Sequence, residues 1–157
     1  MDDFGRSLFP ASTNGEYRGS LAAGTFLAVA AILTILPGAI HAFLPDGGAG
    51  SIAGLDLSHS GATIIGAFAW AGATQIAHGL SMLAVALRYR TLIPLYLALV
   101  LLERIVMTLN WWILKPGVEG HRPPEVYATL VLLPVLVFFL FRSIRPASGA
   151  NRLPAAG

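Results

Sequence analysis

The sequence predicts an all-α membrane protein: a four-transmembrane-helix antiparallel bundle with its N- and C-termini cytoplasmic. Three observations lead there. The chain of 157 residues is 55% hydrophobic and 11% charged, whereas soluble domains are about a quarter charged; its mean hydropathy is +0.71. Four stretches approach or exceed the ~20 mostly apolar residues that a spanning helix needs. The basic residues gather on alternate connections, the asymmetry that sets membrane orientation. One soluble domain of this length could not bury so much apolar surface.

The expected spans are residues 21–44, 61–87, 92–114 and 126–141, within a membrane domain of residues 21–145. The last span is short, but Phe138, Phe139 and Phe141 make it strongly apolar. Breakers separate the spans: Pro45-Asp46-Gly47-Gly48, then Arg88-Tyr89-Arg90-Thr91, then Lys115-Pro116-Gly117 through Pro123-Pro124. Residues 1–20 and 146–157, rich in Gly, Ser, Pro, Ala and Asn, read as flexible cytoplasmic ends. Arg6, Arg18, Arg88, Arg90, Arg142, Arg145 and Arg152 then share one side, which is the cytoplasm. Lys115 and Arg122 face the other, where Trp111, Trp112 and Tyr127 form an outer aromatic belt opposite Tyr89 at the inner one. The first span is too long for a signal core, and no small-x-small site follows at residues 39–42, so it is expected to stay uncleaved. A composition rich in Ala, Gly, Leu, Pro and Arg with a single Lys suits a GC-rich bacterium, and the expected location is its inner membrane, as a multi-pass protein.

Composition also excludes classes of chemistry. The isoelectric point near 9.4 comes from scattered arginines, not a basic stripe, so nucleic acid is not an expected partner. Without cysteine there are no disulfides, thiolate nucleophiles or iron–sulfur clusters. There is no nucleotide loop, nucleophile elbow or HExxH pattern, and no cofactor is implied.

The informative residues are polar ones inside the spans, where an ionisable side chain costs about 2.5–3.5 kcal/mol or more. Glu103 and Arg104 lie near the middle of the third span, His78 and Gln75 in the second, and Asn110 further out on the third. Counting about ten residues from the inner end of each helix at 1.5 Å per residue puts His78 and Glu103 within ~2 Å in height. Gln75 is one turn from His78 on the same face. Glu103, Met107 and Asn110 share one stripe; Arg104, Thr108 and Trp111 share the next, about 100° away, so Glu103 and Arg104 point to different sectors and need not pair. Two readings stay open: a hydrogen-bonded polar lock that fixes helix register, or a site for a proton, ion or small molecule. A third makes the chain an enzyme on a lipid or quinone, with Glu103 or His78 as acid/base and Arg104 holding an anionic group.

His41, His59 and His121, with Glu119 and Glu125 near the last, face outward and offer N/O ligands of the kind Zn²⁺ or Cu²⁺ takes. Their spacing matches no metal motif, and no metal is expected. His41 and His78 differ by roughly 20 Å in depth, too far for one haem. Gly72 and Gly79 make a small-residue face for close helix packing. Pro37 and Pro134 are expected to kink their helices, and Pro94 falls in a first turn that tolerates it.

Four spans in about 150 residues, a glycine-rich second span and Leu102-Glu103-Arg104 in the third resemble DoxX-like and related uncharacterised bacterial four-helix membrane proteins over residues 21–141. The long N-terminal leader and the Trp111-Trp112 pair depart from that layout. Some such proteins accompany quinone-linked oxidoreductase complexes, so the resemblance implies an accessory role. The expected function is therefore an accessory or assembly subunit of a membrane complex. The alternatives are a proton, ion or quinone- or lipid-like small-molecule site around Glu103 and His78, or a membrane enzyme. The expected partners are the lipid bilayer and either further copies of the chain or a larger membrane complex.

Overall fold

A computed structural model describes residues 3–115 and 124–146. A short helix, α1 (Asp3–Leu8), precedes four long ones: α2 (Leu21–Phe43), α3 (Gly61–Arg88), α4 (Ile93–Leu109) and α5 (Pro124–Ile144). No strand occurs among the described residues. A 3-10 turn, Arg90–Leu92, leads into α4, and a π-turn, Asn110–Leu114, continues it. Three segments, Leu21–Phe43, Arg90–Leu114 and Pro124–Ile144, are long and apolar enough to cross a membrane. At 28 residues α3 is the longest helix, but Gln75, His78 and four glycines lower its mean hydropathy below that of the other three.

The helices pack as two pairs. α2 lies chiefly against α3 and α4 against α5; α2 also touches α5, whereas α3 and α4 meet at few positions. The α2–α3 contact is close because glycines form it. A Cβ added to Gly72 would lie 2.6 Å from both the Gly38 carbonyl oxygen and the Ala42 nitrogen, and one at Gly79 would lie 2.5 Å from Ile35 Cγ1. Gly38 completes the seam from the α2 side, 3.0 Å from the Gly72 oxygen on the same construction. Small residues let backbones approach where lipid supplies no hydrophobic drive between helices.

The four helices share one core only at the end where α2 and α4 begin and α3 and α5 finish. Ala23, Leu27 and Ala31 of α2 meet Met82, Val85 and Ala86 of α3, Ile93, Leu97 and Val100 of α4, and Leu136 of α5. Phe26 stacks on Phe139 with ring centroids 4.3 Å apart. Toward the other end the pairs are held separately: the glycine seam joins α2 to α3, while the edge contact of Trp112 with Tyr127 and buried Val126 and Thr129 accompany α4 and α5. Large apolar side chains such as Leu33, Trp70, Leu102, Val131 and Phe138 are exposed, as a lipid-facing surface requires and a water-facing one rarely allows.

Arg18, Arg88, Arg90, Arg142 and Arg145 cluster at the end with the common core. Residues 10–20 lie across it. Ser12 Oγ donates to the Arg88 carbonyl (3.0 Å), Asn14 Nδ2 to that of Leu87 (2.7 Å), and the Arg88 guanidinium donates back to the Pro10 carbonyl. The Ser20 amide donates to the Arg142 carbonyl (3.1 Å), and Ser20 then caps α2 by accepting from the Ala22 amide. The polar residues that suggested a flexible leader thus bond carbonyls that the ends of α3 and α5 leave without helical partners.

At the opposite end a turn-rich loop joins α2 to α3. Gly47, Gly48 and Gly54 take positive φ, which glycine adopts without a Cβ penalty. The Asp46 carboxylate organises this loop by accepting from the Gly48 amide (2.8 Å) and the Ser51 amide (2.7 Å). Those amide bonds, that of Ser51 first, hold its carboxyl below the usual aspartate range.

Two outcomes test this account. Gly72→Ala should destabilise the protein by about 1–3 kcal/mol through overpacking, read as a lower melting temperature in detergent. Gly66→Ala, with nothing within 4 Å of its new Cβ, should be neutral or slightly stabilising because Gly weakens a helix interior. For Asp46 the native pKa is the lowered one, so its contribution is complete above the ordinary value of 3.8 and is lost as pH falls through the native value. Amide-exchange protection of Gly48 and Ser51, corrected for intrinsic rates, should therefore fall on strong acidification, and Asp46→Ala should remove it at neutral pH.

Candidate functional site

The polar residues of the bundle meet where the two helix pairs part. On α3, Gln75 and His78 sit one turn apart. Gln75 faces the glycine seam, where a Cβ on Gly38 would be 2.9 Å from its own Cβ. His78 turns toward α4, and its Nε2 lies 3.9 Å from Glu103 Oε2. The separation is too long for a hydrogen bond, but within range of a strong charge interaction once the imidazole is protonated. Both His78 Nε2 and Gln75 Oε1 are buried without a hydrogen-bond partner. Buried polar atoms of this kind are scarce in folded proteins and call for a specific explanation.

Arg104 corrects the expectation that it and Glu103 point apart. Its Nη2 is 3.5 Å from Glu103 Oε1, and its Nη1 donates to Glu125 Oε1 at 3.2 Å. Adjacent residues on a helix do leave the axis about 100° apart, but the long arginine stem lets the head group turn back over its neighbour. Arg104 is well covered, at 15% side-chain exposure, whereas Glu103 and His78 are 39% and 37% exposed. The guanidinium is therefore the best-covered charge of the cluster, while the Glu103 and His78 side chains are partly exposed although His78 Nε2 itself is buried.

Glu125 is the member that sequence reasoning missed. The expected fourth span begins at residue 126, which leaves Glu125 in the loop near His121; α5 starts at Pro124, with Glu125 in its first turn. The signal was present: proline at the first helical position followed by an acidic residue is a common helix start. Its position at the beginning of α5 extends the cluster from the middle of α4 toward the end of the bundle opposite the arginine-rich one.

Asn110 stands apart from this group. Its side-chain amide donates to the Val106 carbonyl (2.9 Å) at the entry to the π-turn, which closes when the Lys115 amide donates to the Asn110 carbonyl (2.7 Å). The outward histidines also go elsewhere. His41 Nδ1 is 2.7 Å from the Gly47 carbonyl oxygen and its ring stands edge-on to Phe68, while exposed His59 pairs with its neighbour Ser58. His121 and Glu119 lie outside the described residues. Among the described residues no three metal-capable side chains gather.

With neutral His78 the cluster holds two carboxylates and one guanidinium, a net charge of −1 beside apolar helices. Fold and cluster together define an all-helical membrane protein with an ionisable group between its helix pairs. The chain matches no protein-family model, and neither a curated protein nor a solved structure shows significant similarity to it.

Arg104→Gln should lower stability by about 1–3 kcal/mol, because it leaves two carboxylates without their shared donor. Adding Glu103→Gln should recover much of that loss, and Arg104→Lys only part of it, since an ammonium cannot fork between two acids. Melting temperatures of these proteins and of Glu103→Gln alone, in one detergent, check this; purely additive effects would show that Glu103 and Arg104 are not energetically coupled.

Proposed function

We propose that the chain is a four-span membrane protein, with α3 as the fourth span and both termini cytoplasmic, and that its polar cluster binds a proton or small cation entering from the outer side. The arginine-rich end supports the orientation. The length of α3 supports its role as a span: 28 residues reach about 42 Å at 1.5 Å each, and its most polar members, Gln75 and His78, face α2 and α4.

One observation carries the binding reading: His78 Nε2 is buried and unpartnered 3.9 Å from Glu103 Oε2, and Gln75 Oε1, one turn along α3, is buried and unpartnered too. A lock that existed only to fix helix register would satisfy its own atoms. This cluster instead leaves an acceptor and an imidazole nitrogen unused and is one positive charge short of neutrality. A proton on the imidazole, or a cation between it and the carboxylate, supplies that charge. The partial exposure of Glu103 and His78 and the reach to Glu125 give such an ion a polar route from the outer end. The accessory-subunit reading draws on the resemblance to DoxX-like proteins and on the exposed apolar faces; lipid accounts equally well for those faces. An enzymatic role would need a second acid/base group facing a substrate cavity.

The absence of cysteine makes a clean test possible. Met107 lies one turn beyond Glu103 on the same stripe. In sealed proteoliposomes, Met107→Cys should react with a membrane-impermeant cationic thiosulfonate from the outer side, roughly tenfold faster than with an anionic one of equal size. Glu103→Gln in that background should erase the charge preference while the thiol stays reactive. A thiol inert to both reagents would mean a sealed lock; equal rates in the Met107→Cys protein would remove the cation site.

A further inference from the structure

A second recess lies at the arginine-rich end, away from the polar cluster. It encloses about 330 Å³ between the start of α2 and the finish of α3, with Leu21, Gly24, Thr25 and Ala28 along one wall, Leu87 on the other, and Tyr17 and Arg90 at its mouth. Most of the lining is apolar, and Leu21, Gly24, Thr25 and Ala28 follow one face of α2 for two turns, so the recess is a groove along the helix. Its mouth is charged. Arg90 Nε donates to the Ala86 carbonyl at the end of α3 (3.2 Å), which fixes the guanidinium there, and among the described residues no carboxylate pairs with it. Tyr17 does not neutralise it: burial pushes the phenol above its usual range, against the pull of Arg90, so the group is uncharged at neutral pH. Tyr17 is itself held by donating to the Ser20 carbonyl (3.2 Å).

We infer that this groove holds one anionic phospholipid of the inner leaflet, its phosphate on Arg90 and an acyl chain along Leu21, Gly24, Thr25 and Ala28. The chemistry at the two ends of the recess selects this occupant. A guanidinium forks onto phosphate oxygens, the apolar wall suits a hydrocarbon chain, and both stand at the level where headgroups meet the hydrocarbon core if α2 and α3 span. The inference rests on the spanning assignment and its orientation, and it is independent of the cation site.

Native mass spectrometry of the full chain, released from mild detergent with equal amounts of phosphatidylglycerol and phosphatidylcholine of identical acyl chains, tests it. The protein should retain one phosphatidylglycerol with about fivefold preference, the worth of one arginine at an anionic membrane surface. Arg90→Gln should bring the preference to unity and Arg90→Lys should keep most of it. Arg145→Gln, at the same end but outside the groove, should leave it unchanged. Thr25→Trp, which fills the groove, should reduce retention of both lipids. Equal retention of the two lipids by the unmodified chain would overturn the inference, as would an Arg145→Gln effect as large as that of Arg90→Gln, which would signify diffuse charge. A lipid-free dimer that Thr25→Trp disrupts would assign the groove to a second copy of the chain. The thiol measurements on Met107→Cys are unaffected by any of these results.

Discussion

A guanidinium held between two carboxylates is the constraint around which the half of this bundle away from the common core is arranged. Arg104 is the best covered member of its cluster and reaches Glu103 on its own helix and Glu125 on α5. An unpaired charge beside apolar side chains is costly, so α4 and α5 must stay close enough for the arginine to span both acids. The same demand keeps α3 at a distance: it contributes His78, which approaches Glu103 only to 3.9 Å, and otherwise leans on α2. The two-pair arrangement and the partly open polar site are therefore two aspects of one compromise between sealing charge and leaving it reachable.

The other half of the bundle follows a different rule. There, aliphatic and aromatic side chains from all four helices interlock, and residues 10–20 cross the helix ends. Here all four helices share one core, and beyond it α2 packs chiefly with α3 and α4 with α5. The glycine seam sits on the boundary between the two regimes. Gly79 lies level with the last of the common core and Gly72 with the opening, so α2 and α3 remain in backbone contact after the pairs have separated. Closely packed backbone gives α3 little freedom to slide, and that fixes the height of His78 against Glu103.

Much of this was legible in the sequence, for a simple reason: hydrophobic runs and their breakers report helix positions directly, and counting residues at 1.5 Å each converts positions to heights. That is how Glu103 and His78 come to the same level before any coordinates, and why Gly72 and Gly79 read as a packing face. Three features did not follow. The pairing of Arg104 with Glu103 depends on a flexible stem, and helical angles describe where side chains leave the axis, not where they end. Glu125 escaped because a helix start was set two residues late. The role of residues 10–20 was hidden by composition, since the Ser, Thr and Asn that signal a flexible leader are also the residues best able to bond the free carbonyls at helix ends. The groove at Arg90 could not be read at all, because it is built from two helices and the segment that crosses them.

The polar cluster lies near the middle of the bundle and the groove at its arginine-rich end, and the two differ in the chemistry they offer. In the cluster the charge balance is negative and two polar atoms are buried without partners; at the groove an arginine without a carboxylate partner among the described residues stands beside apolar side chains. A protein needing only to stay folded in a bilayer has no use for either, since Leu or Phe at positions 78, 90 and 103 would pack against lipid at lower cost. The proposed cation site and lipid groove would give each of these polar groups a role that packing alone does not.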